Sequence, residues 1–108
     1  MSGSGGGGGT PIIDFQSCED LVITVQLSSP KENVISRLEE GDILTIGFMR
    51  DSATTTVYAF YEGEVAGGIA SSSIRKLREC LLSGTKYQGK VLEINQGQVR
   101  IKITALKN

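Results

Sequence analysis

Apolar residues in this chain recur at every second position, not every third or fourth. Leu21, Ile23, Val25 and Leu27 share one parity while Thr24 and Gln26 share the other; Leu44, Ile46 and Phe48 alternate within Ile43 to Met49. Val99, Ile101 and Ile103 alternate with Gln98, Arg100, Lys102 and Thr104. A period of two sends successive side chains to opposite faces of an extended backbone, so each run reads as a strand with one face on a core. Three more runs join them: Thr56 to Tyr61, β-branched and aromatic; Glu64 to Ile69, entered through a tight turn at Glu62-Gly63; and Lys86 to Ile94, joined to the last strand across Asn95-Gln96-Gly97. Gly67 and Gly68 predict a bulge or a close approach of another backbone. In the fifth strand Tyr87, Gly89 and Val91 share a face before Leu92 and Ile94 take over the apolar role, a phase change that predicts a bulge near Leu92–Glu93.

Two segments break the alternation. Ser29-Pro30-Lys31-Glu32 reads as a helix start, with Ser29 as cap, Pro30 in the first turn and Glu32 completing a capping box. That helix runs to about Leu38 with Val34, Ile35 and Leu38 inward, and ends before Gly41. Ser71-Ser72-Ser73 opens a second helix, which continues to about Leu82 and stops at Gly84, with Ile74, Leu77 and Leu81 on one face and Cys80 on its edge. Six short antiparallel strands with two short helices predict a mainly β fold. Its form is a bent sheet or half-open barrel, with one helix plugging the bottom or covering an edge.

Of the 108 residues, Met1 to Thr10 hold six of the fourteen glycines and form a flexible tail, since polyglycine offers nothing to offset its ordering entropy. Whether the tail is a native arm or an added linker is left open. Residues 11–108 are expected to form one small domain. Its lead-in, Pro11 to Asp20, would dock Ile12, Ile13 and Phe15 on the core, and Asp51 to Thr55 would be a polar loop. No apolar run approaches the roughly 18 residues of a membrane helix, and no secretory signal pattern is present. The expectation is a cytoplasmic protein without membrane contact.

Missing residue types narrow the chemistry. There is no histidine, so Ser-His-Asp and Cys-His arrangements are excluded and zinc loses its commonest nitrogen ligand. Cys18 and Cys80 stand 62 positions apart without a CxxC pair, and read more simply as two reduced thiols than as a disulfide. Glu39, Glu40 and Asp42 flank a glycine turn, and Glu62 and Glu64 straddle Gly63 at a hairpin tip; neither group has an apolar frame to raise a carboxyl pKa for acid catalysis. No enzyme and no cofactor is expected.

Net charge is −1, yet the chain is polarised. Ten acids face three bases up to Ile74, whereas eight bases face two acids from Arg75 onward. Two basic features follow. Ser71, Ser72 and Ser73 precede a helix whose first turn holds Arg75 and Lys76, a combination that would accept a phosphate or carboxylate; the alternative is an ordinary serine cap with solvated bases. Lys90, Arg100 and Lys102 fall outward on the last hairpin and would form a short positive ladder, or simply a charged surface. On single-strand-binding barrels such a ladder comes with exposed aromatics, for which Tyr58, Tyr61 and Tyr87 are the tyrosines on offer, though strand phase turns some of them inward.

The order of features resembles the HIRAN domain, a small β-barrel. The resemblance rests on Leu38-Glu39-Glu40-Gly41-Asp42-Ile43-Leu44, on Gly63-Glu64-Val65-Ala66-Gly67-Gly68-Ile69, and on the helix ending at Ser83-Gly84 before Tyr87-Gln88-Gly89-Lys90-Val91. It implies a barrel topology and a role in recognising DNA ends, particularly single strands. The family's Asn-Pro-rich loop before the third strand is replaced by Arg50-Asp51-Ser52-Ala53-Thr54-Thr55, so no DNA-contacting residue carries over. The chain is also similar to short bacterial proteins with glycine-rich N-termini. The leading expectation is a non-catalytic binding module for a protein partner or an anionic ligand. Single-stranded nucleic-acid binding comes second and self-assembly through a strand edge third, with oligomeric state left open.

Overall fold

The computed structural model describes residues 17–49 and 56–106. The expectations for the glycine-rich tail, the Ile12, Ile13 and Phe15 lead-in, and the loop at 50–55 lie outside those residues. In chain order the elements are a 3-10 turn at Cys18–Asp20, β1 (Val22–Gln26), α1 (Glu32–Ile35), β2 (Ile43–Phe48), β3 (Val57–Tyr61), β4 (Glu64–Gly68), α2 (Ile74–Leu82), β5 (Tyr87–Asn95) and β6 (Gln98–Ala105). All neighbouring strands run antiparallel in one sheet of order β1-β6-β5-β2-β3-β4. The strands stand where the alternation put them, to within a residue or two at their ends.

The sheet bends until its two outer strands meet. Ser28, just past β1, exchanges two backbone hydrogen bonds with Gly68 at the end of β4, at 2.9 and 2.7 Å. Inside, a row of register partners runs Tyr87, Ile46, Ala59 and Gly67, and Gly67 abuts Leu27 of the first strand's extension. A Cβ at Gly67 would stand 3.1 Å from both Leu27 Cβ and the Ser28 carbonyl oxygen, so only glycine lets the two backbones meet there. The bulge expected beside it is present: Ala59 pairs with Gly67 and Phe60 with Val65, leaving Ala66 as the extra residue. Ala66 is fully buried and its carbonyl accepts the Lys31 N–H. The Leu92 bulge is also present, since Val91 pairs with Ile101 and Glu93 with Arg100. Beyond it Ile94 packs on the core, whereas Leu92 is the unpaired residue and only half-buried.

The core is built from the inward parity of the strands: Leu21, Ile23, Leu44, Ile46, Val57, Val91, Val99, Ile101 and Ile103, with Tyr87 the largest fully buried side chain. α1 adds Val34 and Ile35, and the turn after it adds Leu38. α2 adds Leu77 and Cys80, with Ile74 and Leu81 partly buried.

Three expectations are corrected. The first helix does not start at Ser29: its N-cap position is Lys31, no side chain caps it, and it ends at Ile35. The bridge to Gly68 keeps Ser28 extended, and Ser29 turns the chain with φ +49°, so helical geometry begins two residues later than a capping box would have it. The second helix opens only at the end of the serine run, at Ile74 with Ser73 in the N-cap position, because Ser71 Oγ accepts the Ser73 N–H at 3.1 Å and holds a turn ahead of it. Its end matches: Gly84 at φ +105° donates to Leu81 and Thr85 donates to Cys80, the paired bonds of a left-handed C-cap. Third, Cys18 and Cys80 are not two reduced thiols but a disulfide, with Cα atoms 5.6 Å apart. The curl of the sheet brings the turn before β1 against the buried face of α2, a juxtaposition that sequence spacing does not express.

Candidate functional site

β5 and β6 carry the basic face outward. Lys90 stands directly opposite Lys102, and both are exposed. Their row continues to Thr24 on β1 and to Ile43 on β2, which is half-exposed at 50%. Neither lysine has an ion-pair partner among the described residues. Like charges facing each other across an antiparallel pair repel, so this row is arranged against its own stability. Arg100 lies on the same face but is occupied: the bulge at Leu92 sets Glu93 opposite it, with Arg100 Nη2 3.0 Å from Glu93 Oε1. The expected ladder of Lys90, Arg100 and Lys102 is therefore a lysine pair beside a neutralised arginine.

Aromatics accompany the lysines on the outer surface. Val57 and Ala59 face in with no exposure, which sends Tyr58 and Phe60 to the outer face, half-buried, their ring centroids 6.2 Å apart. Phe60 shares a row with Thr45 and Gln88, adjacent to the Ile43–Lys90–Lys102 row. Tyr58 is flanked in its own row by Gly47 and Gly68 and borders a cleft of about 300 Å³ over the seam, lined also by Ser28, Lys31 and Val65. The other two tyrosines are committed elsewhere. Tyr87 is buried and its hydroxyl donates to the Cys18 carbonyl; burial pushes its phenol above its usual value. Tyr61 lies under Arg37, whose guanidinium carbon sits 5.6 Å from the ring centroid. Burial, and then the carboxylates of Asp42 and Glu62, push the Tyr61 phenol up against the opposing pull of Arg37.

Arg37 also explains the hairpin-tip acids. It reaches Glu62 at 3.3 Å and Glu64 at 2.9 Å, so these carboxylates tie the β3–β4 turn to the segment after α1. Asp42 is used locally, accepting the Glu39 N–H at 2.9 Å. Among the described residues no three His, Cys, Asp or Glu side chains gather to hold a metal ion, and no helix is long and apolar enough to cross a membrane.

The serine-rich helix start is less open than its composition suggests. Ser72 and Arg75 are exposed, while Ser71, Ser73 and Lys76 are half-buried. Ser71 takes up the Ser73 N–H through its hydroxyl and the Ile74 N–H through its carbonyl, and Ser73's carbonyl takes the Leu77 N–H.

Sequence reasoning placed the three basic residues outward at facing positions but missed Arg37, Ile43, Phe60 and the pairing of Arg100 with Glu93. The outward aromatics had a readable signal: a strand whose alternate residues are Val57 and the small Ala59 buries that parity in a tight interior and turns Tyr58 and Phe60 out. Fold and site together define a small mainly β domain, a bent six-stranded antiparallel sheet with two short helices. In comparisons with known proteins the chain matches no family model, no curated protein and no solved structure.

Proposed function

We propose that this domain is a non-catalytic binding module whose outward sheet face, centred on Lys90 and Lys102, takes an acidic protein surface. The observation that carries the reading is the facing lysine pair, unpartnered among the described residues, while Arg37 and Arg100 both hold carboxylates. An acidic partner converts the repulsion within that pair into attraction. Ile43, in the same row and half-exposed, supplies an apolar contact beside the two charges. The reading needs no cofactor and no reaction, in keeping with a chain that lacks histidine and whose hairpin-tip acids are engaged by Arg37.

A second reading, single-stranded nucleic acid bound by a HIRAN-like barrel, is favoured by two outward aromatics, Phe60 in the row adjoining the lysine row and Tyr58 in the row beyond it. One experiment separates the two. Fluorescence anisotropy is measured for a labelled Glu-rich peptide, a labelled single-stranded oligonucleotide and its duplex, each at low and moderate salt. The protein reading expects the peptide to bind, and the variant K90E/K102E to weaken that binding by about tenfold or more. Preference for the single strand, lost in Tyr58→Ala, moves the assignment to nucleic acid. No binding by any probe at low salt, where charge attraction is strongest, removes this face as an anion-binding surface.

A further inference from the structure

The two fully buried side chains of α2 are Leu77 and Cys80, and Cys80 is bonded to Cys18 in the turn ahead of β1. Nine residues fall short of the length at which an isolated helix persists in water, so α2 depends on these anchors. The sheet does not share that dependence. Its ladders join β1 to β6, β6 to β5, β5 to β2, β2 to β3 and β3 to β4, and its fully buried residues Leu44, Val57, Val91, Val99, Ile101 and Ile103 all sit on strands. Loops at 69–73 and 83–86 connect α2 to the strands on either side; Ile74 and Leu81 pack on the core only in part, and Leu82 is exposed.

We propose that the Cys18–Cys80 disulfide is a redox clasp: oxidised, it seats α2 on the barrel; reduced by a cellular dithiol, it releases α2 while the sheet stays folded. The electron balance is that of thiol–disulfide exchange. A thiolate of the reductant attacks Cys18 Sγ, since Cys18 is half-buried whereas Cys80 is 1% exposed. A bond from the reductant to Cys18 forms, the Cys18–Cys80 bond breaks, and the Cys80 sulfur leaves as a thiolate that takes up a proton. The reductant's second thiolate then attacks its own sulfur in the mixed disulfide, closing the reductant as a disulfide and freeing Cys18, which is protonated in turn. Two electrons pass to the protein with two protons. Arg75, Lys76 and Arg78 lie on α2, so the clasp sets how these bases are presented. In a reducing cytosol the open form prevails, and in an oxidising compartment the closed one.

The test is hydrogen exchange of the full chain, followed by mass spectrometry, with the disulfide intact, with dithiothreitol added, and in the variant C18S/C80S. With the bond intact, α2 amides are protected. After reduction, and in the variant, they exchange near the rate of unstructured peptide, while amides of Val91, Ile101 and Ile103 stay slower by about a hundredfold or more. Two results would overturn the clasp: α2 keeping its protection without the bond, or α2 and the strands losing protection together, which would make the disulfide a staple of the whole domain.

Discussion

The two helices of this domain are held by opposite means. α1, four residues long, is fixed by its surroundings without any covalent help. Lys31 donates to Ala66 at the β4 bulge, Val34 and Ile35 are buried, and Arg37 reaches across to Glu62, Glu64 and the Tyr61 ring. α2, at nine residues, has a proper glycine cap and twice the length, yet its buried contacts are few and a disulfide supplies one of them. Helix length and intrinsic propensity thus say little about which helix is firmly seated. What matters is how many independent groups on neighbouring elements converge on it, and whether losing one leaves the others in place.

That contrast can be broken from either side. The largest expected effect is removal of the disulfide, which closes a loop of 62 residues. In the chain-entropy account a loop of that size stabilises the folded state by about 4 kcal/mol. Urea melts with and without dithiothreitol should differ by about that much, and equal midpoints would show that α2's covalent anchor is idle. Next comes the seam on the α1 side. Gly67→Ala brings a methyl against Leu27 and the Ser28 carbonyl, and should destabilise by about 1–3 kcal/mol. Gly47→Ala, where a Cβ meets nothing within 4 Å, is the matched control and should leave the urea midpoint unchanged or slightly raised. The smallest effect sharpens the comparison. Arg37→Ala removes two exposed ion pairs and the contact with Tyr61, for about 1 kcal/mol in low-salt thermal melts, and the loss should shrink as salt is added.

Local chemistry was legible and long-range geometry was not. Alternation located all six strands, the phase change at Leu92–Glu93 located one bulge, and the Gly67-Gly68 pair marked the place of the other, without naming Leu27 and Ser28 as the backbone that approaches there. Each of these is a property of a few adjacent residues. The false helix cap at Ser29 shows where local reading stops: Ser28 is captured by Gly68, 40 positions on, and that bridge decides where the helix begins. The disulfide and the Arg37 cluster fail for the same reason, since their partners lie 62, 25 and 27 positions apart. Of the candidate site, the outward parity of Lys90, Arg100 and Lys102 could be read from the strand pattern. That two of them confront each other while the third is neutralised depends on register, which the bulge shifts by one.

Leu92 also shows what one backbone position is worth. Up to Val91 the odd-numbered residues of β5 face the core. After the extra residue Ile94 lies opposite the buried Val99 and Glu93 opposite the exposed Arg100. Were Leu92 deleted from the gene, the shortened strand could keep its pairing only by drawing Glu93 into its place opposite Arg100, straightening the backbone with every later residue still on its proper side. Were Leu92 kept and the bulge ironed flat, leucine would face Arg100 and the glutamate would be turned inward toward Val99. The leucine is therefore expendable as a side chain yet indispensable as a spacer so long as the strand keeps its present length, and its codon records a count more than a chemistry.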